Sequence, residues 1–123
     1  MDEIKAVLES GTYKGIPIGE AYEALRDRAS VYANPPHSED GTHVYPDLQI
    51  EEIDNLIYAI HLPAPGRITL EDLIGNLGEG THNANEYHMS VTYWSSRVIA
   101  NCKFPPAGKY LTEVSLVTTA FMD

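Results

Sequence analysis

At 123 residues the chain is long enough for one domain that buries roughly two-thirds of its unfolded surface without metals or disulfides. Apolar residues at 43% and charged residues at 21% exclude the low-hydrophobicity composition of a disordered chain. Eight basic residues against 18 acidic ones give a formal charge of -10, which repels phosphate backbones and anionic lipid heads, so neither nucleic acid nor a membrane is expected as partner.

The opening stretch MDEIKAVLES is acidic and has no long apolar run, so it reads as neither a signal peptide nor a membrane span. Ile4, Val7 and Leu8 are spaced i, i+3, i+4, which predicts a short helix from Asp2 to Ser10 with Gly11 as its stop. Gly15, Pro17 and Gly19 then require an extended link over Thr12–Gly19. A second helix is expected from near Gly19, with Ala21, Tyr22, Leu25 and Ala29 on its apolar face and Arg26 and Arg28 in its last turn. Ser30–Ala33 reads as a short strand, and Asn34–Thr42, with two prolines and a glycine, as an exposed loop. Val44–Ile53 and Leu56–Leu62 form a hairpin across Asp54-Asn55, residues that accept the left-handed geometry of a two-residue turn. Thr69 caps a third helix in which Leu70, Leu73, Ile74 and Leu77 make one apolar stripe ahead of Gly78 and Gly80.

Glu86–Phe104 organises the rest. Tyr87, Met89, Val91 and Tyr93 alternate with polar residues, and so do Val98, Ala100, Cys102 and Phe104 beyond Ser95-Ser96, the period-two pattern of a hairpin with one face on a core. The first hairpin repeats it: Ile50 matches Val91, Asp54-Asn55 match Ser95-Ser96, Ile57 matches Val98 and Ala59 matches Ala100. Lys109–Phe121, rich in Val and Thr, adds a closing strand. The expected fold is α+β: an antiparallel sheet built from two helix-plus-hairpin halves, with helices on one face and Ile50, Ile57, Val91 and Val98 buried beneath them.

Catalytic signals are sparse. The sequence lacks the GxSxG, phosphate-loop, CxxC and HExxH spacings. Cys102, the sole cysteine, can form no intrachain disulfide, sits at an inward strand position, and favours the reduced cytoplasm. The densest polar cluster, Gly78–His88, offers His82 or His88 as a general base oriented by Glu86, the basis for an alternative small-molecule-binding or enzymatic reading. A further alternative is an accessory subunit of a phage or other assembly. No cofactor or metal is expected.

The strongest functional signal is charge placement. Glu39, Asp40, Asp47, Glu51, Glu52 and Asp54 crowd a stretch from Ala29 to Gly66 that contains no Lys or Arg, so a local negative potential is expected there. Tyr45 and Tyr58 are the candidate aromatic anchors beside them, with Tyr58 equally open to a core reading. The helix openings GIPIGEAYEAL (Gly15–Leu25) and ITLEDLIGNLGEG (Ile68–Gly80), in a small acidic chain poor in cysteine, resemble those of the immunity proteins of bacterial polymorphic toxin systems. The repeated hairpin also resembles the tandem-repeat architecture of β-lactamase inhibitor proteins, which bind their target with the concave face of a sheet. These resemblances imply a cytoplasmic inhibitor without chemistry of its own, covering the basic cleft of a cognate toxin domain with Glu39, Asp40, Tyr45, Asp47, Glu51, Glu52 and Asp54.

Overall fold

A computed structural model of the chain describes residues 2–32, 34–63, 67–84, 86, 89–105 and 110–119. Helix α1 spans Asp2–Ser10 and stops at Gly11, whose amide donates to Val7 O from a left-handed φ of 78°. The expected extended link is a small ribbon, β1 (Thr12–Tyr13) against β2 (Ile16–Pro17), turned by Lys14 and Gly15. The second helix is much shorter than its apolar spacing predicts. Gly19 and Tyr22 donate their amides to Ile57 O and Asn55 O, and Glu20 O accepts from Ile57, so this stretch is drawn alongside a strand. Only a 3-10 turn at Tyr22–Ala24 and α2 (Leu25–Arg28) remain helical, and Ser30–Tyr32 is a 3-10 turn rather than a strand.

The expected loop over Asn34–Thr42 folds instead as a hairpin, β3 (His37–Glu39) and β4 (Thr42–Val44), because Asp40 and Gly41 supply a tight left-handed turn. The Tyr45-Pro46-Asp47 bend then separates β4 from β5 (Gln49–Ile53). β6 (Leu56–Pro63) follows across Asp54 and Asn55, both left-handed at φ 52° and 65°. α3 (Leu70–Leu77) begins with the expected cap: Asp72 N–H donates to Thr69 Oγ1, and the Thr69 amide donates to the Asp72 carboxylate. That backbone hydrogen bond, joined by the one from the side chain, holds the Asp72 pKa below its ordinary value. The remaining strands are β7 (Thr81–Ala84), β8 (Met89–Trp94), β9 (Val98–Phe104) and β10 (Glu113–Thr118). β7 falls within the polar cluster Gly78–His88; its four residues are exposed and pair along β8 at the sheet's edge.

Among the described residues, eight strands form one antiparallel sheet in the order β3-β4-β5-β6-β10-β9-β8-β7. β10 lies at the centre, bonded to β6 on one side and β9 on the other, so the last strand joins the two hairpins from within rather than closing an edge. The inward face carries Ile50, Ile60, Leu62, Val91, Tyr93, Ala100, Cys102, Phe104, Val114 and Leu116, packed in one cluster with Ile4 and Val7 of α1, Leu25 of α2 and Leu73 of α3. Ile50, Ile57, Val91 and Val98 are all fully buried, as their matching positions require. Ile57 and Ile60 have opposite parity, and both reach the interior because the register shifts between Glu51 and Glu52, leaving Tyr58 as the extra residue of a bulge.

Burial in this cluster pushes the Cys102 thiol up to about 12. The folded state therefore favours the protonated thiol, and the stability this contributes falls as pH rises past the unfolded thiol's pKa toward that value. At neutral pH iodoacetamide is expected to alkylate Cys102 only at the rate of unfolding, with full labelling in denaturant.

Candidate functional site: the open face of the sheet

Strand alternation sends the other set of side chains outward. Directly opposed residues of antiparallel neighbours share a face, so the pairings define rows across the sheet. One row reads Glu39, Thr42, Glu51, Ala59, Val117, Ile99 and Trp94, from β3 to β8. The next holds Gln49, His61, Ser115, Asn101, Thr92 and Thr81. Glu113, Lys103, Ser90 and Asn83 make a third.

His61 is the centre of the open face. Its Nδ1 lies 2.8 Å from Ser115 Oγ and 3.6 Å from Glu113, its Nε2 lies 3.3 Å from Glu51, and Lys103 approaches Glu113 at 3.9 Å. Gln49, Glu51, His61, Thr112 and Glu113 line a shallow pocket of about 360 Å³. The order carboxylate, imidazole, hydroxyl is one that can pass a proton. Ser115 is only 6% exposed, however, so its oxygen is poorly placed to attack a substrate, and the chain's evident effect is to tie β5, β6 and β10 together. A second chain of the same kind lies on the opposite face. Ser38 Oγ and Glu52 each sit 2.7 Å from a nitrogen of His43, whose ring stacks on Tyr22 at 4.4 Å. Replacing His43 by alanine removes that stack and leaves the half-buried Glu52 without its partner; a loss of roughly 1–2 kcal/mol is expected in urea unfolding.

The acidic residues read from the sequence do not form one surface. Glu51 and Glu52 are neighbours in sequence, yet strand alternation sends them to opposite faces, each onto its own histidine. Glu39, Asp40, Glu51, Glu52 and Asp54 do gather at one corner, because the β3–β4 and β5–β6 turns lie at the same end of the sheet and Glu52 N–H donates to Gly41 O. Asp47 lies at the other end of β4 and β5, accepting from Tyr32 Oη at 2.7 Å and facing Lys14 at 3.6 Å. Tyr45 is a correction: it is 7% exposed, donates its hydroxyl to Tyr32 O and packs edge-on against the Tyr32 ring, so it is core and not a surface anchor. Burial first, then Tyr22 and Tyr32, raise its pKa. Among the described residues the exposed large apolar side chains are Trp94, at 59%, Ile53, at 44% near the acidic corner, and Tyr110, at 40%.

In the alternative cluster, His82 is exposed on β7 with Nε2 2.7 Å from Glu79 O, and Glu86 is exposed; His88 and Tyr87 lie outside the described residues. Among the described residues no group of three or more His, Cys, Asp or Glu could hold a metal ion, and no helix is long and apolar enough to cross a membrane.

No family model matches this chain, and comparison with curated proteins gives no match. Among solved structures it is similar to a DUF4309 family protein, YjgB, from Bacillus subtilis, with a TM-score of 0.72 over 95% of this chain and 94% of that one. At 12% identity the likeness is one of fold.

Proposed function

We propose that the protein is an inhibitor of the immunity type, which occludes a basic partner enzyme with the acidic corner of its sheet and performs no chemistry itself. The observation that carries this reading is the convergence of Glu39, Asp40, Glu51, Glu52 and Asp54 at the two turns of one sheet end, in a stretch without Lys or Arg. Glu51 and Glu52 are engaged by histidines and Glu39 lies 3.8 Å from the exposed His37, so Asp40 and Asp54 supply the charge most available to a partner. The same reading takes the sheet as two helix-plus-hairpin halves joined by β10, a support holding the corner rigid. The corresponding location is the cytoplasm, with a cognate toxin domain as partner.

Affinity capture from the native cell, followed by assay of the captured enzyme with and without this protein, tests the reading. A basic enzyme released by salt and silenced at one-to-one ratio is expected. An enzyme held but left fully active contradicts inhibition.

A further inference from the structure

We propose, as a property separate from occlusion, that Ser38 is an activated nucleophile: His43 draws off its proton, Glu52 positions His43, and the hydroxyl takes an acyl group from an activated ester that carries no negative charge.

The three side chains come from three neighbouring strands, β3, β4 and β5. Ser38 stands opposite His43 across the β3–β4 pairing, and its Oγ lies 2.7 Å from His43 Nδ1. On the far side of the ring, Nε2 lies 2.7 Å from Glu52 Oε1. A carboxylate only accepts hydrogen bonds, so Glu52 takes the Nε2 proton and the Nδ1 lone pair is left to face the Ser38 hydroxyl. That is the tautomer a general base needs. The ring is also held in place, 9% exposed and stacked on Tyr22 with an interplanar angle of 16°. Hydroxyl, imidazole and carboxylate, each within hydrogen-bond reach of the next, form the arrangement that activates serine on unrelated folds. Exposure separates this chain from the one at His61. Ser115 is buried, whereas all three residues of β3 are exposed, so a reactant can reach Ser38 Oγ.

The sheet edge adds an amide donor. Gly41 O accepts from Glu52 N–H and Tyr45 N–H donates to Leu48 O, so the odd-numbered residues around β4 bond toward β5. Thr42 and Val44 therefore bond toward β3, and Ser38, which opposes His43 between them, points its own N–H off the edge. With no strand beyond β3 among the described residues, that N–H can stabilise the oxygen of an acyl group attacked by Ser38 Oγ. One such donor is worth roughly 100- to 1,000-fold in rate. A single donor on an open edge suits an ester whose leaving group departs readily and does not suit a peptide bond. Glu39 and Asp40 follow directly in the chain, and their charge repels an anionic reactant. In the step, a bond forms between Ser38 Oγ and the acyl carbon, and the ester C–O bond breaks. The Ser38 proton passes to His43 Nδ1 and from there to the departing oxygen.

The probe is p-nitrophenyl acetate, with nitrophenolate release followed by absorbance and the acetyl group located by acid quenching and peptide mass mapping. Acetylation of Ser38 is expected to run roughly 100-fold faster than that of the exposed Ser96, and Ser38→Ala to abolish the fast phase. Glu52→Gln tests the relay. Glutamine keeps the shape and a hydrogen bond to His43, so the thermal midpoint should stay near the wild-type value. Its amide can donate to Nε2, however, which moves the ring proton to Nδ1, and Ser38 acetylation should fall about 100-fold or more. His61→Gln, a change in the other chain, should leave the rate as it was. A second readout leaves His43 and Glu52 untouched: Ser38→Cys should be alkylated by iodoacetamide well ahead of Ser96→Cys, because the imidazole takes the thiol proton. Acetyl groups spread over lysines, with Ser38 no faster than Ser96, would overturn the proposal. So would Ser38 acetylation that Glu52→Gln leaves intact, or equal alkylation of the two cysteine variants.

Discussion

Replacing Ile57 by alanine is expected to cost about 2–5 kcal/mol, and replacing Val91 by alanine about 1–3 kcal/mol, in denaturant unfolding. Both side chains are fully buried, one at the start of β6 and the other in the middle of β8, on opposite sides of β10. Each deletion removes apolar surface from one continuous cluster and leaves a cavity that packed strands close only in part. The pair matters more than either value. If the two hairpins stabilise a common core, both variants lower the midpoint of a single cooperative transition. Were the first hairpin an independent arm, Ile57→Ala would leave that midpoint in place while Val91→Ala moved it.

Gly15→Ala is the second large effect, expected at roughly 2–4 kcal/mol by thermal or urea unfolding. Gly15 turns the β1–β2 ribbon at φ 84°, a region that costs an L-residue roughly 1–2 kcal/mol by itself. A Cβ there would also lie 2.6 Å from Arg28 O, a backbone atom at the end of α2 that cannot rotate away. Gly78 has a positive φ of 91° with an extended ψ of -171°, and a Cβ there would meet nothing within 4 Å. Gly78→Ala should therefore destabilise through backbone strain with no steric contact, whereas Gly15→Ala should lose stability through both.

The sheet was legible in the sequence wherever alternation was uninterrupted. β8, β9, the start of β6 and the capping box of α3 follow from period-two and period-3.6 patterns and from Asn, Asp, Gly and Thr at positions where their backbone or side-chain chemistry is needed. The failures have a common cause in long-range pairing. The apolar spacing of Ala21, Tyr22 and Leu25 is helical, but the amides of Gly19 and Tyr22 donate to Ile57 O and Asn55 O, and Glu20 O accepts from the Ile57 amide, which overrides it. Asn34–Thr42 looked like loop because its strands are polar and short, and only pairing with β5 gives them a place. The site was less legible still. His61 stood between Ile60 and Leu62 at an outward position, a signal available in the sequence, but its partners Ser115 and Glu113 come from a strand some fifty residues later. Glu51-Glu52 read as one patch because composition ignores alternation, which parts them.

The most direct test of the acidic-corner reading is the association rate of the captured partner, measured against ionic strength for the wild type and for Glu39→Gln, Asp40→Asn, Asp54→Asn combined. These side chains are exposed, and asparagine keeps the left-handed turn geometry found at Asp40 and Asp54, so charge changes while the fold does not. The wild-type rate is predicted to fall steeply as salt rises, with the variant slower at low salt and much flatter. Equal rates and parallel salt dependence would contradict a contact made through this corner.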